Sequence, residues 1–247
     1  MYHLIPLKQA EITAPMGIGM LMGDMTQQVT APVYVWCVEG GRRKILVDAG
    51  VEARGRGDFE VRGGGEEGLR KALEGVGLSP GEVEVLVLTH LHFDHTACVR
   101  LFENARIYVQ RREWEVALSP LPPLRPFYDR GLLEPLEGMD LVLVEGDHEL
   151  EEGLKLLHLP GHTEGMQGLA LRTKAGTAVL ASDLLYTYLN LHSPFPHTPF
   201  YPPAIIVDLR DWFWSVHKAL RVASRKELVY PGHEPSLEGK RLPEGEG

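Results

Sequence analysis

Residues 85–95 of this 247-residue chain read VLVLTHLHFDH, an apolar run that turns into a cluster of histidine and aspartate. The run has the length and β-branched content of a buried strand. Beyond it, an extended backbone points His90 and His92 the same way, and Asp94 and His95 follow directly. Imidazole and carboxylate groups bind Zn²⁺, and mixed N/O sites also accept Fe, Mn or Co. The segment predicts a strand that ends in a metal site, with a solvated polar turn as the alternative.

Three further apolar runs, at 156–160, 178–182 and 228–231, end next to residues that can bind metals. These residues are His162, Asp183 and His233. Ligands of open α/β sheets collect at the carboxyl ends of the strands. A polar turn would have to arise independently at each strand end, so the pattern favours one shared metal site. Such a site accounts for five of the 11 histidines.

The rest of the sequence alternates between strand and helix patterns. Apolar runs bounded by glycine or proline predict strands at 33–38, 44–47, 83–89, 107–110, 141–144, 154–159, 168–172, 178–182 and 227–230. Helical spacing of apolar residues predicts helices at 67–76, 111–118 and 208–224. The glycine-rich, charged segment 54–67 is expected to be a mobile loop. No change of composition divides the chain, so we expect one α/β domain over residues 1–247.

The composition narrows the possible partners and the location. A net charge of −9 disfavours nucleic acid and anionic membrane surfaces as partners. The 44% hydrophobic and 24% charged residues are ordinary globular values. We see no secretory signal and no membrane-spanning run, and two cysteines are too few for a disulfide framework. We therefore expect a cytoplasmic protein that acts on a small molecule, with monomer and homodimer both left open.

The order of the motifs resembles the metallo-β-lactamase superfamily of dinuclear hydrolases. HxHxDH is followed by Pro-Gly-His, Ser-Asp and a second Pro-Gly-His, and the match spans roughly residues 33–233. The resemblance implies an αββα sandwich, two mixed sheets flanked by helices, that holds two divalent metal ions, Zn²⁺ first and Fe, Mn or Co as alternatives. It implies that one ion takes His90, His92 and His162, and that the other takes Asp94, His95 and His233, with Asp183 bridging both.

Within the superfamily, the chain most resembles the N-acyl-homoserine lactonases. The segments THLHFDHTA at 89–97, IYVQRREWEVAL at 107–118 and PVYVWCVEGGRRKILVDAG at 32–50 are similar to that family's versions, and ASDLLY at 181–186 places Tyr186 where these lactonases carry a phenol. One departure is Thr96-Ala97-Cys98, where family members usually have Ala-Gly-Gly. The resemblance implies a lactonase and removes no metal ligand.

Our mechanistic hypothesis is attack on the lactone carbonyl by a hydroxide shared between the two metals. Tyr186 would donate a hydrogen bond to the oxyanion, and Asp94 would pass a proton to the leaving alkoxide. The methionine-rich segment 16–25 and the aromatic loop 188–201 are candidate substrate walls. From them, Met20, Met22 and Phe195 join Tyr186 as candidate substrate-binding residues.

Other functions use the same motif and stay open at this point. A thioesterase of the glyoxalase II type usually adds a helical domain after the last histidine, for which the sequence given leaves little room. Broad esterase or phosphotriesterase activity is compatible with the same nucleophile. A di-iron redox protein usually has Glu in place of His92 and carries a flavin domain. A metal site that only stabilises the fold is the non-catalytic alternative.

Overall fold

The computed structural model describes residues 1–244, and two β-sheets form its centre. Seven strands, in the spatial order β4-β1-β2-β3-β5-β6-β7, build the first sheet: β1 (His3–Pro15), β2 (Gln28–Glu39), β3 (Ile45–Val47), β4 (Glu60–Gly63), β5 (Val85–Val87), β6 (Arg106–Gln110) and β7 (Asp140–Val144). Five strands, in the order β12-β11-β10-β9-β8, build the second: β8 (His148–Glu151), β9 (Leu154–His158), β10 (Gln167–Thr173), β11 (Gly176–Ser182) and β12 (Val229–Pro231). Both sheets contain parallel and antiparallel pairs.

The helices flank these sheets. They are α1 (Met16–Gly19), α2 (Gly65–Glu74), α3 (Phe93–Thr96), α4 (Arg111–Leu118), α5 (Arg130–Leu133) and α6 (Leu209–Val222). Short 3₁₀ turns occupy Pro80–Glu82, Val99–Phe102, Pro122–Leu124, Glu134–Gly138, Tyr188–Leu191, Lys226–Leu228 and Pro235–Leu237. None of the helices in the described part of the chain is long and apolar enough to cross a membrane.

Successive side chains of each strand point to opposite faces of its sheet, so each sheet packs against helices on one face and against the other sheet on the other. In β2, Val35 and Cys37 face the core under α2 and α4, whereas Tyr34 and Trp36 face the core between the two sheets. In β10, Ala170 faces α6, while Leu169 packs between the sheets. Because successive side chains of a strand point to opposite faces, a sheet covered on both sides needs apolar residues at nearly every position. The result is the predicted αββα sandwich, two mixed sheets flanked by helices.

Helix α6 covers the second sheet through one apolar face. Trp212, Val216 and Ala219 lie at helical spacing and are at most 1% exposed. The side chain of Asp208 accepts a hydrogen bond from the Asp211 backbone N–H at 2.8 Å, which caps the first turn and typically contributes about 1 kcal/mol. The sequence pattern predicted this helix with bounds within two residues of those observed.

The prediction of a mobile loop over residues 54–67 is wrong in part, because regular structure occupies residues 60–63 and begins again at residue 65. Residues Glu60–Gly63 form β4, which pairs antiparallel with β1, and α2 begins at Gly65. Besides β4, the strands β1 and β8 were not predicted. Pro6 and a register shift between Lys8 and Ala10 interrupt the alternation of β1, so its apolar pattern is hard to read from sequence. That long strand supplies the edge on which β4 pairs.

Candidate metal centre

The seven ligand candidates from the sequence lie together at one edge of the two sheets. His90 and His92 follow β5, Asp94 and His95 lie in α3, and His162, Asp183 and His233 follow β9, β11 and β12. The carboxyl ends of β9, β11 and β12 meet because β10 runs antiparallel to β9 and β11, and β12 runs parallel to β11. The ligand atoms form two groups, each within 4.8 Å: a three-histidine group (His90, His92, His162) and a carboxylate group (Asp94, His95, Asp183, His233).

In the three-histidine group, ring nitrogens converge on one point. Nε2 of His162 lies 3.2 Å from Nε2 of His90 and 3.1 Å from Nδ1 of His92. All three side chains are buried, and burial is the main cause that lowers the pKa of each ring below its usual value. The rings are therefore neutral at neutral pH, which is the form that binds metals.

In the carboxylate group, two imidazoles face two carboxylates. Oδ1 of Asp183 lies 3.1 Å from Nε2 of His233 and 3.4 Å from Nε2 of His95, and Oδ2 of Asp94 lies 3.6 Å from Nε2 of His95. Burial acts to lower the pKa of His95 and His233, but the carboxylates outweigh it and raise both. Burial acts to raise the pKa of Asp183, but His233 and His95 hold it well below its usual value.

Asp183 lies between the two groups. Its Oδ1 faces the carboxylate group, while its Oδ2 lies 3.6 Å from Nε2 of His162 and 3.9 Å from Nε2 of His90. Gly232 makes this approach possible, because a Cβ there would lie 2.8 Å from Oδ1 of Asp183. One carboxylate oxygen towards each group is the placement that a bridging ligand requires.

Hydrogen bonds fix which ring nitrogens remain free. Nδ1 of His162 donates to the Ile205 carbonyl at 2.7 Å, and Nδ1 of His233 donates to the Pro32 carbonyl at 2.8 Å. Nδ1 of His95 donates to Oδ2 of Asp48 at 2.8 Å. Oxygen acceptors hold a proton on Nδ1, so Nε2 is the nitrogen by which each of these rings faces the site.

A second network supports the loops that carry the ligands. Asp48 accepts hydrogen bonds from the backbone N–H and the hydroxyl of Thr89, and Ser182 donates to the same hydroxyl at 3.0 Å. Asp48 and Ser182 have φ of 64° and 47°, values that L residues rarely adopt and that typically cost about 1–2 kcal/mol each. Strain of this kind is retained where surrounding contacts over-determine the backbone, as they do here.

Two buried polar atoms test whether the residues fit a metal. Nε2 of His95 and Oδ1 of Asp183 are buried without a hydrogen-bond partner in the described residues. An unsatisfied buried polar atom typically costs about 1–3 kcal/mol, so such atoms are rare unless an ion or water completes them. Both atoms face the same point between imidazole and carboxylate groups, and a divalent cation there would satisfy them. The donor set therefore fits two divalent metal ions.

Tyr186 stands over both groups. Its ring lies edge-on to His162 and to His233, with centroids 5.7 Å apart in each case. Burial raises the pKa of its phenol well above the usual value, and the carboxylates of Asp183 and Asp94 raise it further. The phenol is therefore protonated at neutral pH, and among residues 1–244 its hydroxyl has no hydrogen-bond partner. It is available as a donor to a bound molecule.

An apolar cavity of about 190 Å³ opens onto the site. Its floor includes Asp94, Asp183 and Tyr186. Its walls are mainly apolar and include Ile12, Met16, Ile18, Met20, Phe59 and Phe127. A molecule bound here would present its polar end to the ligand groups and its apolar part to the walls.

Of the residues expected at the substrate, Met20 and Tyr186 line the cavity, but Met22 and Phe195 do not. Met20 is 7% exposed; its backbone forms an isolated bridge to Pro203, and its sulfur accepts a hydrogen bond from Nδ2 of Asn190 at 3.5 Å. Met22 lies in the following turn, at a φ of 60°, and is 80% exposed. Phe195 packs on Tyr201 at the surface. The expectation for Met22 and Phe195 is therefore corrected.

Sequence reasoning missed two polar residues behind the ligands. Asp48 directly follows β3, so the rule of strand ends that found His162 would also have found it. Glu113 lies on the buried face of α4 with Val116 and Ala117, and it is 0% exposed. In the sequence, a glutamate at a position of the apolar face of the predicted helix 111–118 was the sign that this residue is buried. Burial raises the pKa of Glu113, while four hydrogen bonds act against that shift.

Comparison with known proteins places this geometry in a family. A model of the metallo-beta-lactamase superfamily matches residues 30–233. An N-acyl homoserine lactonase of Bacillus thuringiensis is 30% identical over 217 residues, which are 82% of this chain and 81% of that protein. The N-acyl homoserine lactonase AiiB of Agrobacterium fabrum is 34% identical over 142 residues, which are 53% of this chain and 51% of that protein.

Solved structures agree on the fold. The crystal structure of a quorum-quenching N-acyl homoserine lactone hydrolase superposes with a TM-score of 0.77 at 24% identity, covering 96% of this chain and 93% of that one. AidC, a dizinc quorum-quenching lactonase in complex with a product, superposes with a TM-score of 0.72 at 18% identity, covering 95% and 88%. The chain thus belongs to the metallo-β-lactamase superfamily and, within it, to the family of the N-acyl homoserine lactonases.

Proposed function

We propose that this protein is a hydrolase that uses two divalent metal ions to open the ring of lactones, with N-acyl homoserine lactones as the first candidates. The observation that carries the proposal is the pair of ligand groups at the floor of an apolar cavity, with a protonated phenol above them. The related lactonases of Bacillus thuringiensis and Agrobacterium fabrum support the substrate class.

The ligand groups define what the metals contribute. Two divalent ions held by these residues would polarise the substrate carbonyl and supply a hydroxide nucleophile at neutral pH. Zn²⁺ is our first choice because imidazole and carboxylate are its usual ligands, while Fe, Mn and Co suit the same donors. The oxygens of Asp183, directed to separate groups, would hold the two ions side by side.

Two side chains, Tyr186 and Asp94, stabilise the oxyanion and transfer the proton, whereas the metals supply the nucleophile. The Tyr186 hydroxyl donates a hydrogen bond to the oxygen that becomes negative when the carbonyl is attacked. The Asp94 side chain is 16% exposed and lines the cavity, and its Oδ2 lies 3.6 Å from Nε2 of His95 and 3.9 Å from Nε2 of His233. Its carboxylate accepts the proton that the attacking hydroxide gives up and passes it to the ring oxygen when the C–O bond breaks, so the product is a hydroxy acid.

The cavity walls suit an acyl chain. Met20 is an adaptable thioether inside the cavity, and Met22 is a methionine two residues away that lies outside it. This pair provides a matched test. We expect Met20→Ala to lower kcat/KM for medium-chain acyl homoserine lactones more than for simple γ-lactones, while Met22→Ala leaves both unchanged. Equal effects of the two variants would remove Met20 from acyl recognition.

The decisive experiment for the function is a substrate screen at constant pH. Zinc-loaded protein is assayed on homoserine lactones of varied acyl chain, γ-lactones, glutathione thioesters and phosphotriesters. We expect the highest kcat/KM on a lactone. A thioester preference of more than about a hundredfold, near 2.7 kcal/mol of transition-state binding, would replace the lactonase proposal by a thioesterase. No turnover of any class would favour a site that only stabilises the fold.

The location and the redox state remain predictions. Cys37 and Cys98 are free and buried, which agrees with a reducing compartment such as the cytoplasm. Burial raises the pKa of Cys98 to about 12, with Glu66 and Glu52 adding to the shift. This thiol is therefore protonated at neutral pH and has no nucleophilic part in the proposed reaction.

A further inference from the structure

Glu113 is a buried carboxyl group that no step above uses. It lies in the first turn of α4 and is 0% exposed. A buried charge is costly unless it is paired or fully hydrogen-bonded. No lysine or arginine in residues 1–244 forms an ion pair with Glu113. The structure therefore needs another reason to keep a carboxyl group at this position.

Four donors surround the carboxylate, two on each oxygen. Oε1 accepts from the backbone N–H of Leu91 at 2.9 Å and from the hydroxyl of Tyr128 at 3.2 Å. Oε2 accepts from the hydroxyl of Thr163 at 2.6 Å and from the backbone N–H of Gly165 at 3.2 Å. Each carboxylate oxygen thus accepts from one backbone N–H, a group that can donate a hydrogen bond but cannot accept one. An ionised carboxylate satisfies all four donors, and a glutamine amide cannot.

Three of these donors lead to the three-histidine group. Leu91 stands between His90 and His92, and Thr163 directly follows His162. The ring of Tyr128 packs on the ring of His92, with centroids 4.8 Å apart. In the carboxylate group, by contrast, Asp48 bonds to His95 directly.

The start of α4 packs tightly against the loop that follows His162. A Cβ at Gly165 would lie 2.1 Å from the backbone nitrogen of Glu113, so the helix start packs directly on residue 165. This contact holds Glu113 in place without any charge. The three-histidine group shares Asp183 with the carboxylate group, and Asp48 reaches His90 through the hydroxyl of Thr89, which lies 3.1 Å from Nδ1 of that ring. Glu113 adds a carboxylate on the side of His92 and His162, to which it is linked through Tyr128 and Thr163.

We propose that Glu113 is the positioning residue of the three-histidine group: its carboxylate joins the two loops that carry His90, His92 and His162, and supplies negative charge near the cation they bind. The inference rests on the metal site of the proposed function. It predicts that Glu113 controls the affinity of one metal ion and leaves the other largely unaffected. A carboxylate that only anchored α4 would change the stability of the fold and both affinities alike.

The test is metal binding by Glu113→Gln, measured without any substrate. Apo protein is titrated with Zn²⁺ against a chromophoric chelator to obtain two dissociation constants. Titration with Co²⁺ follows the visible bands of each site. We expect the variant to bind one Zn²⁺ about 10–100-fold more weakly, as is typical for groups behind metal ligands, with the other constant little changed. The unfolding midpoint of the apo protein should fall as well, because the amide leaves buried donors without an acceptor, so the difference between the two metal constants is the deciding result. The Co²⁺ spectrum should lose the bands of the nitrogen-rich site.

Two kinds of variant control this result. Glu115→Gln removes an exposed carboxylate from the same helix, and we expect both constants to equal those of wild type. Thr163→Val and Tyr128→Phe each remove one donor, and we expect smaller losses at the same site. These two variants carry the test should Glu113→Gln not fold.

The outcomes separate this inference from the proposed function. Two unchanged constants in Glu113→Gln, or equal losses at both sites, would overturn the role of Glu113 even if the enzyme opens lactones. Wild-type protein that binds two Zn²⁺ but turns over no lactone would overturn the proposed function and leave the role of Glu113 standing. Wild-type protein that binds no metal would overturn both.

Discussion

The three-histidine group and the carboxylate group lie side by side but manage charge in opposite ways. The first consists of rings whose pKa burial lowers, and the carboxylates behind it act through intervening groups. Glu113 acts through the Leu91 backbone N–H, Thr163 and Tyr128, and Asp48 acts through Thr89. The second contains carboxylates that raise the pKa of His95 and His233. Two metal positions in one site therefore need not depend on the same supporting residues. Substitutions can therefore address one position at a time.

The largest effect is expected from the residue that the two groups share. Asp183→Ala removes the oxygens that face His162 on one side and His233 on the other. We expect loss of tight binding of both metals and a fall in kcat/KM beyond the 10–100-fold typical of residues behind the ligands. Metal analysis and lactone kinetics check this. Asp140→Ala, at an exposed strand end, is the control and should behave as wild type. Two metals and full activity in Asp183→Ala would contradict a bridging ligand.

Tyr186 stands over both groups without being expected to hold a metal, so its loss should spare both. We expect Tyr186→Phe to lower kcat/KM on the best lactone by about 10²–10³-fold, near 2.7–4 kcal/mol, because an oxyanion donor is lost. Both Zn²⁺ dissociation constants should be unchanged. Kinetics combined with chelator competition separates the two effects. Unchanged kcat/KM would remove the phenol from the mechanism.

Asp48 provides the counterpart to Glu113. Asp48→Asn keeps the shape and tolerates the φ of 64° but removes the charge behind His95. We expect the larger weakening, about 10–100-fold, at the carboxylate group, where Asp48 contacts His95 directly, and a smaller one at the three-histidine group, which Asp48 reaches through Thr89. The Co²⁺ bands of the nitrogen-rich site should be retained. Glu113→Gln should lose those bands instead. If both variants weakened the same site, the two groups would not be separable.

The smallest effect is expected far from both groups, at Glu82. Hydrogen bonds from Lys44 and then from Ser79 lower the pKa of Glu82 from 4.5 to about 2. A lowered folded-state pKa contributes stability that is present above the unfolded value and is lost as the pH falls through the folded one. We expect wild-type apo protein to have a higher Tm than Glu82→Gln at pH 6, with the gap closing between about pH 4.5 and about pH 2. A difference in Tm between wild type and Glu82→Gln that grows as the pH falls would contradict the lowered pKa of Glu82.

The ligands were predictable from sequence because they obey a local rule. Each follows an apolar strand, and His90 to His95 follow one another within a few residues. The fold followed from the same strands and from the resemblance. Asp48 obeys the rule as well and was overlooked.

The supporting residues were not predictable, because their partners are distant in sequence. Glu113 accepts a hydrogen bond from Thr163, which lies 50 positions away in the sequence. Met20 and Met22 look alike in sequence, and the contacts that distinguish Met20, a bridge to Pro203 and a hydrogen bond from Asn190 to its sulfur, come from distant parts of the chain. The strand β4 formed in an expected loop because β1, itself hidden by Pro6, offered an edge. Tertiary contacts determine these features, and local patterns do not record them.

The central claim is that two metal ions at these groups drive lactone hydrolysis. Its most direct test is to remove all metal, add back Zn²⁺ in steps and measure both bound metal and the rate of lactone opening at each step. We expect negligible activity without metal and a maximum rate at two Zn²⁺ per chain. Full activity in metal-free protein, or no lactone opening with two Zn²⁺ bound, would contradict it.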